Sequence, residues 1–129
     1  MTENASLATP VPRQQHPNVL ALEGDIDLHI SPAVTESLNA VIKKKPEVVV
    51  IDLSRATFID SAGVAALILA MQEVEAYGGK FFVSGLQETL RSILETSRLD
   101  RIFHIFPDVD AALAARGAFG LAAKQINAV

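Results

Sequence analysis

Short apolar runs alternate along this chain with apolar stripes spaced at three and four residues. Val19-Leu20-Ala21-Leu22 reads as a first strand, broken by the turn residues Glu23-Gly24-Asp25-Ile26-Asp27. Val34, Leu38, Val41 and Ile42 then fall at i, i+4, i+7 and i+8, one face of an amphipathic helix. Ser31 is placed to cap it and Pro32 suits its first position; Lys43-Lys44-Lys45 fills the last turn before Pro46. The unbroken run Val48-Val49-Val50-Ile51 predicts a central strand over about 47–53, buried on both faces. A punctuated segment, Asp52 to Ile59, leads into a helix over roughly 62–77 that Ser61 is suited to cap. Its core stripe is Val64, Leu67, Ile68, Met71 and Val74, and Gly78-Gly79 ends it. Lys80–Ser84 is a third strand, and Leu86, Leu90, Ile93 and Leu94 mark a third helix. Ile102–Phe106 is a last strand stopped by Pro107, and a final helix begins near Asp108 or Asp110.

Strand and helix thus alternate four times, which calls for an α/β domain with a parallel or mostly parallel sheet. Residues 1–17 hold three prolines and are expected as a flexible tail or a ragged edge strand. Residues 18–116 form the domain, and 117–129, diluted by Gly and Ala, are expected to be loosely held. One face of the second helix carries Ala62, Ala66 and Leu69 before its first charge at Glu73. Such a face is either covered by another element or open to a partner.

Composition narrows the chemistry. The 129 residues lack cysteine, which removes disulfides, thiolate metal sites and cysteine catalysis. A formal charge of −4, without Trp and with one Tyr, argues against nucleic acid as a partner. No apolar run approaches the ~18 residues of a membrane span, and the start Met1-Thr2-Glu3-Asn4 lacks the basic character of a secretory signal. A cytoplasmic protein is the expectation.

His16, His29 and His104 show no metal-ligand spacing. His104 is expected half-buried in an apolar strand, and His29 beside the acidic turn is placed to hydrogen-bond there. Neither a G-x-G-x-x-G nor a Walker run is present. A serine hydrolase with Ser61 as nucleophile is the weakest rival reading, because Ile59 stands where the nucleophile elbow needs glycine. No catalytic, cofactor or metal residue is therefore assigned. In a parallel sheet the loops beyond the strands' carboxyl ends gather on one rim, which would collect Asp25, Asp27, Asp60 and Ser61. The acids there either terminate strands or serve a partner. A phosphate on Ser61 would meet a helix N-terminus and add about 1.5–2 negative charges to this rim. A switchable binding surface is what such a serine suits.

Asp60-Ser61-Ala62-Gly63-Val64, preceded by Ile51-Asp52-Leu53-Ser54 and Phe58-Ile59, resembles the signature of the STAS domain, specifically of bacterial anti-sigma factor antagonists. Gly24-Asp25-Ile26-Asp27, Gly78-Gly79 and Leu99-Asp100-Arg101-Ile102-Phe103 extend the likeness. It implies a small sandwich: a mixed sheet of four to five strands with four helices mainly on one side. It implies binding to an anti-sigma factor that is also a serine kinase, phosphorylation of Ser61 to end binding, and a PP2C-type, metal-dependent phosphatase to restore it. ATP and Mg²⁺ would belong to the partner, and a homodimer through the sheet edge is compatible with the scheme. The partner-binding residues would be Asp25, Asp27, Asp60, Ser61, Ala62, Gly63, Val64, Ala66 and Leu69. The alternative within the same resemblance is an accessory subunit of a lipid-trafficking ABC transporter, packed on its ATPase without phosphorylation.

Overall fold

The computed structural model describes residues 18–115 and the backbone of residues 13–16. Strand β1 (Arg13–His16) runs antiparallel to β2 (Val19–Ile26). Strands β3 (Val48–Ile59), β4 (Lys80–Ser84) and β5 (His104–Phe106) follow in parallel, giving the order β1-β2-β3-β4-β5. Helices α1 (Ser31–Ile42), α2 (Ser61–Ala76) and α3 (Glu88–Thr96) connect the parallel strands. A 3₁₀ turn (Leu99–Arg101) precedes β5, and a helix, α4, starts at residue 109 and is described to 115. The mixed five-stranded sheet with four helices is the architecture expected. Of the tail or edge strand expected over residues 1–17, residues 13–16 are β1, an edge strand; residues 1–12 and 17, and the tail expected over 117–129, lie outside the described residues.

The central strand feeds two cores, which is why its first residues are apolar without interruption. Val49, Ile51 and Leu53 join Leu20, Leu22, Phe81 and Val83 beneath α1, α2 and α3. Val48 and Val50 point the other way, with Val19 and Phe82, and are covered by Ala112, Val109 and Leu113 of α4. Residues in a strand alternate between faces, so four consecutive apolar side chains serve two layers. Three helices on one face and one on the other is the result. Asp108 caps α4 by accepting the Ala111 N–H at 2.8 Å, which decides between the two aspartates.

Five expectations need correction. The punctuated stretch from Asp52 to Ile59 is not a connection; it continues β3 to twelve residues. It is strand because β2 continues beside it, pairing Asp25 with Phe58 and Ile26 with Ile59. The register shifts between Ala21 and Glu23 and again between Gly24 and Asp25, and Gly24 takes a φ of 75°. The glycine and acids that look like a turn are therefore a bulge within a strand. Because β4 ends opposite Asp52, the last seven residues of β3 pair with β2 alone. They form a two-stranded ledge of about 20 Å at ordinary strand rise.

The helix starts differ too. Ser31 does not cap α1; Ile30 precedes the helix and no side chain caps it. Ser61 does not cap α2; it is the first helical residue, after Asp60. At the other end of α1, the helix stops at Ile42, so Lys43–Lys45 lie beyond the last turn, with Lys45 at φ 51°. Finally, His104 is exposed, its ring edge-on to Phe82 at 5.9 Å, and not half-buried.

Candidate functional site

The ledge ends where β2 and β3 release α1 and α2 side by side. The Asp60 N–H donates to the Ile26 carbonyl at 3.2 Å, so the last strand pair fixes the start of α2. Asp60 is extended (φ −103°, ψ −174°) and its Oδ1 accepts the Gly63 N–H at 3.0 Å, the geometry of an N-cap. Its second oxygen, Oδ2, accepts the Leu28 N–H at 3.1 Å. One carboxylate thus caps α2 and holds the β2–α1 loop.

Asp27 holds the turn that leads into α1, without capping the helix. Its Oδ1 accepts the N–H groups of His29 (3.0 Å) and Ile30 (3.3 Å). Its carbonyl accepts those of Ile30 (3.1 Å) and Ser31 (2.9 Å). His29 does bond to the acidic turn, through its backbone. Asp25, exposed on the ledge, accepts the Thr57 hydroxyl at 2.7 Å across the β2–β3 pair. All three acids sit on one rim, as the topology predicts, and each is occupied in holding backbone or strand.

Ser61 is exposed, and with Asp60 capping, no hydrogen bond engages its hydroxyl among the described residues. Gly63 explains how the helix comes so close to the strands. A Cβ at that position would lie 2.5 Å from the Ile26 carbonyl oxygen and 2.8 Å from the Ile59 side chain. Only glycine lets the first turn rest on the strand ends.

The remaining proposed contact residues separate by exposure. Gly63 is buried and Ala66 is 8% exposed, so these two shape the surface and do not line it. Ala66 shares a groove with Leu38 of α1, which answers the question of the Ala62–Ala66–Leu69 face: it is covered at Ala66 and open at Leu69, 62% exposed. Ala62 and Val64 are half-buried, and Val64 packs against the main core. Sequence reasoning missed Leu28, 68% exposed and tied to Asp60 through its amide. An apolar residue between acidic turn and helix, outside either periodic stripe, was the available signal. Thr57 and the exposed Phe58 carry no signal in the sequence, because the punctuated segment 52–59 shows its strand character only beside β2.

Among the described residues no group of three His, Asp or Glu is arranged to hold a metal, and no helix is long and apolar enough to cross a membrane. The rim presents a hydroxyl, carboxylates and the exposed apolar Leu28 to solvent. The STAS domain family profile matches residues 9–112. This chain belongs to that family. Similar to this STAS protein is the anti-sigma-F factor antagonist RsfB of Mycobacterium tuberculosis, 31% identical over 100 residues, 77% of this chain and 81% of that one. An anti-sigma factor antagonist from Mycobacterium paratuberculosis superposes with a TM-score of 0.71 at 29% identity, covering 83% and 92% of the two chains. SpoIIAA of Bacillus in its phosphorylated form gives 0.61 at 18% identity over 83% and 98%, a likeness that speaks for the fold alone.

Proposed function

We propose that this STAS protein is an anti-sigma factor antagonist switched by phosphorylation of Ser61. It acts as a binding module and carries out no catalysis. The unphosphorylated rim docks onto an anti-sigma factor that is also a serine kinase, and the sigma factor is released. Phosphorylation ends the contact, and a PP2C-type phosphatase restores it. The docking surface comprises Ser61 with the exposed groups around it: Leu28, Asp25 and Leu69, with Asp27, Asp60, Ala62 and Val64 partly accessible.

The observation that carries this reading is the division of labour between Asp60 and Ser61. The aspartate caps the helix, so the serine hydroxyl is exposed, uncommitted and chemically addressable without unfolding anything. A phosphate there faces the positive end of α2, so stability changes little. The same charge stands beside three carboxylates and repels or blocks a docked partner. The relatives' names favour this regulatory role over the transporter-subunit alternative.

The test is phosphorylation by the cognate kinase with ATP and Mg²⁺, read by intact mass. Wild type should gain one phosphate and Ser61→Ala none; phosphate on the Ala variant would move the site elsewhere. Ser61→Asp should weaken binding to that kinase by on the order of tenfold or more, about 1.4 kcal/mol or above.

A further inference from the structure

We propose that the furrow between α1 and α2 is a second docking site, which accepts an amphipathic helix of a partner carrying carboxylates at one end. This rests on the reading of the chain as a partner-binding module. The furrow encloses about 500 Å³, with Leu38, Ala66 and Ala70 as its floor and the exposed Leu69 on its lip. Thr35, Asn39 and Gln72 rim it with uncharged groups. It leads into a second hollow of about 390 Å³ that shares Glu73 and Ala76 with it and is bounded by Lys43, Lys45 and Tyr77. From Ala66 to Tyr77 the trough is ~16 Å long at helical rise, about three helical turns.

The charge along this trough selects the occupant. The middle is uncharged and apolar, as a groove for the apolar face of a helix should be. At the far end the exposed Lys43 and Lys45 line the trough, against the single lining acid Glu73. The opposite end of the helix pair carries Asp25, Asp27 and Asp60 and no lysine or arginine within the β2–α1 loop. A helix with leucine-like side chains and an acidic end at the lysines satisfies both features; a basic-ended helix meets repulsion there. The trough leads away from Ser61 and shares only Leu69 with the docking surface around that serine.

The test titrates the full-length, ¹⁵N-labelled chain with a synthetic peptide of about four helical turns, bearing leucines on one face and glutamates in its first turn. Amide shifts should saturate at Asn39, Leu69, Gln72 and Ala76. The Lys43→Glu/Lys45→Glu variant, altered only at exposed positions, should bind on the order of tenfold more weakly. No saturable shift by ~1 mM peptide, a weak affinity of about −4 kcal/mol, overturns the proposal. So does equal binding of a peptide with lysines in place of the glutamates. Concentration-dependent shifts at the same amides without peptide would assign the furrow to a second copy of this chain, and would likewise overturn it. A chain that binds the peptide but takes no phosphate on Ser61 overturns only the switch.

Discussion

Ser31 and Ser61 occupy the same position, the first residue of a helix leaving a parallel strand, and only Ser61 is exposed. Only before Ser61 does a carboxylate cap the helix: Asp60 accepts the Gly63 N–H, and Ser61 ends exposed with its hydroxyl uncommitted. No side chain caps α1; the Asp27 carboxylate accepts the His29 and Ile30 N–H groups of the turn before it, and Ser31 ends half-buried. The two serines are thus distinguished by the cap beside them and by where the backbone puts them. That placement comes from the length of β3 beyond β4 and from Gly63.

The third helical position offers the strongest way to break the comparison. Ala33 holds it in α1, where a side chain is accommodated; Gly63 holds it in α2, where a Cβ would stand 2.5 Å from a backbone carbonyl oxygen. Gly63→Ala should destabilise by roughly 2 kcal/mol, since overpacking of ~1–3 kcal/mol outweighs the alanine helix preference at such contact. Urea denaturation measures it. A stabilised variant would show that α2 can lift off the ledge, removing the reason for glycine.

The two aspartates come next. Asp60→Ala loses a cap and a loop bond, about 2 kcal/mol together, each being worth ~1. Asp60→Asn keeps an oxygen for Gly63 but cannot accept the Leu28 N–H with its amide nitrogen, so about half that loss is expected. Asp27→Ala should cost ~1 kcal/mol, because its backbone carbonyl still holds Ile30 and Ser31. Equal losses for Asp60→Asn and Asp60→Ala would mean that only the loop bond matters.

These residues also show where the sequence is legible. The alternation of elements, the core stripes of α1 and α3, and the rim that gathers Asp25, Asp27, Asp60 and Ser61 follow from apolar spacing and parallel topology. The ledge does not, because Gly24 and the polar residues of 52–57 carry turn chemistry. Only their partner strand reveals a bulged, one-sided pairing. Caps are equally opaque from one strand of text: Asp-Ser offers two neighbouring capping side chains, and the extended backbone at Asp60 decides between them. Leu28 leaves no periodic trace, and only its place between the acidic turn and the helix marks it.

The far end of α2 supplies a control that alters the helix but not the serine. The Tyr77 hydroxyl donates to the Pro46 carbonyl at 2.8 Å, and burial raises its pKa above the ordinary 10.0. The folded state therefore holds the protonated phenol more firmly than the unfolded chain does. Its contribution is complete below pH 10 and is lost as pH rises beyond it towards the folded pKa. Tyr77→Phe should cost ~1 kcal/mol at neutral pH and lose this part of the alkaline decline. Phosphorylation of Ser61 in this variant should match wild type.

The smallest stability effect sharpens the comparison most. An aspartate at the first position of either helix gains roughly 0.3–1 kcal/mol from the dipole. At Ser61 it also faces Asp60 beside it, so gain and repulsion nearly cancel and Ser61→Asp should stay within about 0.5 kcal/mol of wild type. Ser31→Asp places a charge on a half-buried site and should be the less stable of the pair. Kinase binding should reverse the order, with Ser31→Asp near wild type and Ser61→Asp weak. A matched loss of binding in both would mean that general negative charge at the rim ends docking. A loss confined to Ser61 means that position on the ledge does.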